Sequence, residues 1–293
     1  MSDREQFQQA LLDLGRCIEA LGAYREDAVL TGGMVPFFYR NLPTAARVEQ
    51  EPLMTFDADW TVPVPLAKRP GQTLDLNLRD AHFVGILLGE DAPVVFYQHE
   101  RHGTQKLAPI HVEFLAPRRG APKDRKGKDR TSVQAQPGLW AQALPYLDLL
   151  LQETITMDAS MIKGLALPAG RTVLLPHPAT YVIQKALCRP KRQPDKRDKD
   201  LAYIYDVATL TRTSWPDMAG AVVRLKSRGC FPAKWFTDAR RTLARLFGSA
   251  AADGPLAVAR IYQDAMGAPA APSEAAIHRV MELFLPAIGM AAR

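Results

Sequence analysis

Leu53-Met-Thr-Phe-Asp-Ala-Asp-Trp-Thr-Val62 is the stretch on which the reading of this chain turns. It has the apolar and aromatic content of a strand, and two acids placed one residue apart. Strand side chains alternate between faces, so Asp57 and Asp59 point the same way. Two carboxylates that close repel, and each raises the other's pKa unless a cation lies between them. The spacing therefore asks for a divalent metal, a catalytic dyad or plain exposure to solvent.

The rest of the composition narrows the setting. With 293 residues, 47% apolar and 23% charged, the chain suits one large globular domain or two smaller ones. No apolar run reaches the ~18 residues of a membrane span. The start, Met1-Ser-Asp-Arg-Glu-Gln6, lacks the basic-then-apolar pattern of a signal peptide. Cys17, Cys188 and Cys230 are odd in number and scattered, which fits neither a disulfide framework nor a zinc site. The expected compartment is the cytoplasm, with no membrane partner.

The net charge of +6 is concentrated in two places. From Pro117 to Arg130 there are seven basic and two acidic residues, and from Arg189 to Asp200 six basic and three acidic. The remainder of the chain is slightly acidic. Local basicity of this kind suggests a polyanionic partner, the alternative being two solvated loops.

Periodicity predicts an amphipathic helix over 5–22, from Phe7, Leu11, Leu14, Ile18 and Leu21. Ala28-Val-Leu-Thr31 reads as a buried strand running into Gly32-Gly33, and 34–39 as the start of a helix with Pro36 in its first turn. Further strands are expected at 53–62, 93–98, 110–115, near 154–167 and at 171–175, with a helix at 74–88. From His177 onward helices are predicted over 178–189, 199–211, 215–228, 233–247, 255–266 and 273–287. Strands first and helices later predict an α+β fold: a mixed sheet with flanking helices over residues 1–175, then a helical domain over 176–293.

Three features fall in order along the first part. One strand ends in Gly32-Gly33, a second carries Asp57-Ala-Asp59, and a third carries Glu113 in His111-Val-Glu-Phe-Leu115. A glycine pair lets backbone approach a phosphate closely. Carboxylates on neighbouring strands suit Mg²⁺, which prefers hard oxygen ligands. The order resembles the nucleotidyltransferase superfamily of the DNA polymerase β type, whose motif is a glycine pair, an acid-x-acid strand and a later strand acid. The gap from Gly33 to Asp57 is 24 residues. A second resemblance lies in Pro176-His-Pro-Ala-Thr-Tyr-Val-Ile-Gln-Lys185, Arg189 and Asp195-Lys-Arg-Asp-Lys-Asp200, continuing to Asp206. It is similar to bacterial nucleotidyltransferase-like proteins related to the type IV abortive-infection toxins, over about residues 25–210.

The resemblance implies a Mg²⁺-dependent transfer of NMP from an NTP to a hydroxyl. Asp57, Asp59 and Glu113 would hold two metal ions, with Glu113 as base. Gly32, Gly33, Lys185, Arg189, Lys199, Asp200 and Asp206 would form or support the nucleotide site, Lys185 with a catalytic part. The basic runs from Arg118 to Arg130 and from Arg189 to Lys199 favour tRNA or other RNA as acceptor, and a toxin-like protein implies an antitoxin partner. Two positions depart from the usual pattern: Met34 follows the glycines where Ser or Thr is common, and Glu113 stands where Asp is more usual. They keep a second reading open, an inactive fold that binds RNA or a protein partner. A third reading takes Asp57-Ala-Asp59-Trp-Thr61 as the nucleophile motif of a haloacid-dehalogenase-type phosphatase. It leaves Gly32-Gly33 unexplained and lacks that fold's late acidic motifs. His99, Glu100 and His102 have metal-like spacing but read as a solvated turn, and His111 reads as a strand histidine on Glu113's face.

Overall fold

The amphipathic N-terminal stretch folds as α1 (Asp3–Ala20), which buries Leu11, Leu14, Cys17 and Ile18. Next come β1 (Val29–Thr31), a glycine turn, α2 (Val35–Arg40) and β2 (Asp57–Thr61). These are followed by α3 (Leu74–Asp80), β3 (Phe83–Leu87), β4 (Val94–His99) and β5 (His111–Pro117). Then come β6 (Ser132–Gln136), β7 (Leu139–Leu144), β8 (Ile155–Asp158) and β9 (Thr172–Leu175). The remaining elements are α4 (Pro178–Cys188), α5 (Pro194–Leu210), α6 (Trp215–Ser227), α7 (Ala233–Phe247), α8 (Asp253–Met266) and α9 (Glu274–Ala287). This computed structural model describes residues 3–49, 51–53, 55, 57–87, 94–100, 110–118, 131–267 and 270–291. No helix among the described residues is long and apolar enough to cross a membrane.

The strands form one mixed sheet in the order β3-β4-β5-β2-β1-β9-β8, with β7 added beside the far end of β5 and β6 paired to β7. β2 lies antiparallel to β1 and parallel to β5. Burial follows the pleat. Ala58 and Trp60 on β2, Val112 and Phe114 on β5 and Tyr97 on β4 are buried on one face, where the Trp60 indole reaches Cys17 of α1. Burial pushes the Cys17 thiol up to about 12, so it is inert core. Tyr97 donates to Asp75 of α3 on the same face at 2.9 Å. α1 and α3 thus lie on the face away from Asp57, Asp59 and Glu113.

Three readings of the sequence need correcting. The helix expected over 74–88 ends at Asp80, because His82 takes a left-handed φ of 62° and turns the chain into β3; Leu88 lies outside the described residues. The β6–β7 hairpin was not expected, since its buried positions Val133, Ala135, Gln136, Leu139, Ala141 and Ala143 include three alanines and a glutamine and give a weak alternating signal. Helix α5 starts at Pro194 rather than Lys199, with the proline in the first turn, where its missing N–H costs nothing.

The chain divides into two units, Met1–Val35 with Thr55–Pro176, and Pro36–Met54 with His177–Arg293. The segment 36–54, read from sequence as part of the N-terminal domain, belongs to the helical unit. There Ala46 N donates to Leu210 O at 2.7 Å and Leu53 N to Asp206 Oδ2 at 3.1 Å. In the helical unit α4 is buried along its whole length, with α5, α6 and α7 packed on it and α8 and α9 against α5. An apolar run on every side of a helix needs such a central place. Its N-terminus is capped by His177, whose Nδ1 accepts from Ala179 N at 3.2 Å while Nε2 donates to Asp217 at 2.9 Å.

A buried polar network ties β6 to the sheet unit's other elements. Gln136 Oε1 accepts from Leu74 N at 2.8 Å, its Nε2 donates to Tyr24 Oη at 3.0 Å, and Tyr24 donates to Gln72 O at 3.1 Å. Replacing Gln136 by leucine strands the buried Leu74 N–H and removes one donor from the Tyr24 hydroxyl. Gln136→Leu is expected to lower stability by ~1–3 kcal/mol, read from the shift in urea denaturation midpoint.

Candidate active site

Strand register assembles the acidic set. Asp59 is aligned with Glu113 across the parallel β2–β5 pair, and Asp57 with His111. Period-2 alternation then places Asp57, Asp59, His111 and Glu113 on one face. Asp57 is exposed, and Asp59, His111 and Glu113 are half-buried. His111 Nδ1 lies 3.7 Å from Asp57 Oδ1.

The glycine turn is fitted to this set. Gly32 has a φ of 74°, and a methyl group there would lie 1.9 Å from Asp59 Oδ2. Only glycine lets the backbone come this close to the carboxylate. Thr31, just before it, is buried; its hydroxyl bonds Asp59 O and the Thr61 hydroxyl, each at 3.2 Å, and so locks β1 to β2. Gly33 is buried in the turn, and Met34 points into the core at 1% exposure. The departure at Met34 is therefore a packing choice, which sequence alone did not reveal.

Among the described residues no group of three His, Cys, Asp or Glu side chains is placed to hold a metal ion by itself. The carboxylates instead form an open set on a partly solvated face. Their donor chemistry fits Mg²⁺, which keeps several waters and takes one or two protein carboxylates plus substrate phosphates. A nucleotidyltransferase family model matches residues 9–224, most of the chain. The chain belongs to the nucleotidyltransferase family. No curated protein matches it. Family membership makes the protein a transferase whose general chemistry is nucleotidyl transfer, and it sets the phosphatase reading aside.

The match takes in α4, α5 and most of α6 of this nucleotidyltransferase, where the other expected site residues lie. Lys185 Nζ donates to Asp200 Oδ1 at 2.8 Å, and Arg192 Nε donates to Asp200 Oδ2 at 2.9 Å. The ammonium also lies 5.3 Å from the centre of the Tyr181 ring and 5.2 Å from that of Tyr203. Lys185 and Asp200 are 3% and 1% exposed. Lys185 thus belongs to a buried ion cluster joining α4 and α5. Arg192, which closes it, was missed because nothing in its spacing marks it.

The other expected residues separate. Arg189 follows the end of α4 and is 3.8 Å from Asp198, which also bonds Arg260. Burial lowers the Arg189 pKa from its ordinary value. Lys199 is exposed on α5. The run from Arg189 to Lys199 is thus largely a folded, cross-linked turn and helix start, whereas the run from Arg118 to Arg130 lies outside the described residues after Arg118, as does His102. His99 ends β4 with its ring 5.1 Å from that of Phe83. Asp206 belongs to a different network from Asp200. It accepts from the Tyr262 hydroxyl and from Leu53 N, and with Tyr205 and Thr209 lines a cavity of about 570 Å³.

Burial raises Asp206 to about 7 from 3.8, against the opposing pull of those two hydrogen bonds. The folded state then holds more protons than the unfolded one between about pH 4 and 7, so this group's contribution to stability falls as pH rises through that window. In urea titrations at pH 4.5 and 7.5, Asp206→Asn, which mimics the protonated acid, should show less loss of stability with rising pH than wild type. Asp200→Ala leaves the Lys185 charge buried without its partner and should cost ~3–5 kcal/mol in the same assay.

Proposed function

We propose that this nucleotidyltransferase moves an NMP from an NTP onto a hydroxyl of an RNA acceptor, tRNA being the favoured class. The observation that carries the reading is the alignment of Asp59 with Glu113, with Asp57 on the same face and Gly32 against Asp59. In the reaction the acceptor oxygen bonds to the α-phosphorus, the bond to the β-phosphate oxygen breaks, and pyrophosphate leaves. Mg²⁺ ions held by Asp57, Asp59 and Glu113 would supply charge neutralisation for the attacking oxygen and for the triphosphate. Glu113 takes the proton of the acceptor hydroxyl. The Gly32-Gly33 backbone approaches the phosphates beside Asp59.

In the helical unit Lys199, being exposed, is the proposed phosphate-binding cation. Lys185 and Asp200, with Arg192, act as positioning residues that hold α4 to α5, Arg189 adds positive potential, and Asp206 anchors 36–54. The net +5 of the segment from Pro117 to Arg130, and the run from Arg189 to Lys199, support a polyanionic acceptor. A toxin-like role with an antitoxin partner rests on resemblance alone, and a cytoplasmic location on the scattered cysteines and the lack of a long apolar run.

The test incubates the protein with Mg²⁺, each labelled NTP in turn and total RNA, beside Asp57→Ala/Asp59→Ala. Wild type should label RNA, and the double variant should lose at least ~100-fold of that activity, a loss typical of removing groups that stabilise transition-state charge. If no NTP is transferred to any acceptor, the proposal fails; salt-sensitive RNA binding without transfer would support the binding-module reading instead.

A further inference from the structure

The carboxylate face carries a second feature that the motif does not account for. Phe96 on β4 is aligned with Glu113, and Gln98 with His111. The Phe96 and His111 rings stack with centroids 4.7 Å apart and planes 27° apart. Both are half-buried, and Val84 of β3, aligned with Gln98 on the same face, is 44% exposed. A stacked aromatic pair on a partly solvated sheet face, beside three carboxylates, matches the platforms on which proteins stack unpaired bases.

We propose that Phe96 and His111 form the stacking platform for the terminal base of the acceptor strand. The assignment rests on the function proposed above and on sheet order. Across β4-β5-β2-β1, the carboxylates of β5 and β2 have Phe96 on one flank, stacked on His111 of β5, and Gly32, at the end of β1, on the other. With the triphosphate at the glycine turn, the Phe96 flank adjoins Glu113, the group that faces the attacking hydroxyl. A base stacked on Phe96 fixes the 3′ end of a single strand so that its hydroxyl reaches Glu113. The strand that carries His111 and Glu113 runs on in sequence into the basic segment that begins at Arg118, which suits a polyanion extending from that end.

The probe is a single-stranded oligoribonucleotide with 2-aminopurine at its 3′ end, mixed with the protein without NTP. Wild type should bind and quench the fluorescence. Phe96→Leu, which keeps apolar packing but removes the ring, should weaken binding roughly ten-fold and abolish the quench, and Phe96→Trp should restore both. Because the mixture holds no NTP, the quench tests the platform even where transfer fails. In the transfer assay Phe96→Leu should raise KM for the oligonucleotide and leave KM for NTP unchanged. Equal quenching by wild type and Phe96→Leu, no binding by wild type, or a change in KM for NTP alone would overturn the proposal, the last assigning the platform to the nucleotide's base.

Discussion

The approach of Gly32 to the Asp59 carboxylate is the constraint around which the sheet unit is arranged. A side chain of any size at Gly32 would occupy the space of Asp59 Oδ2, and the positive φ there excludes most residues on backbone grounds as well. At the end of β1, Thr31 is aligned with Asp59 and its hydroxyl clamps Asp59 and Thr61. Met34, two residues past Gly32, is carried into the core. The carboxylate pair is thereby held between β1 on one side and β5 on the other, with its alternation fixed by Trp60 and Ala58 beneath.

The two units manage charge in opposite ways. On the sheet, acidic groups remain in contact with water, where like charges repel weakly and a cation can be recruited. In the helical unit Lys185 and Asp200 are withdrawn from water, and their desolvation is offset by a direct bond, a second cation at Arg192 and two aromatic rings. Asp206 is buried as well, with the Tyr262 hydroxyl and Leu53 N–H as hydrogen-bond donors and the Arg40 charge as the smallest opposing influence. Burial outweighs these opposing influences and shifts Asp206 toward neutrality.

Most of the architecture was legible because its signals are local. Period-2 alternation placed Asp57 with Asp59, and helical periodicity located the helices after His177. The alignment of Asp59 with Glu113 was not in the sequence in any direct form, since register between strands 54 residues apart depends on packing of the whole sheet. Lys185 was legible as important but not as buried, because its partners Asp200, Arg192, Tyr181 and Tyr203 converge only once α4 and α5 pack. Tyr262, 56 residues from Asp206, gave no signal at all. The β6–β7 hairpin was hidden by alanines, whose small burial leaves little contrast with their neighbours.

The placement of Pro36–Met54 with the helices has a consequence for how the chain is made and folded. The helical unit is discontinuous: an early piece leaves β1, waits through the whole of the sheet's strands, and is joined by residues beginning at His177. Bonds such as Ala46 to Leu210 and Leu53 to Asp206 span more than 150 residues, so their loop-closure entropy is met late. During synthesis the early piece lacks its helical partners until the last two-fifths of the chain emerges, while the sheet can close as soon as β9 is complete. A vectorial order follows, sheet before helices, and severing the chain at residue 176 would not yield two independent halves.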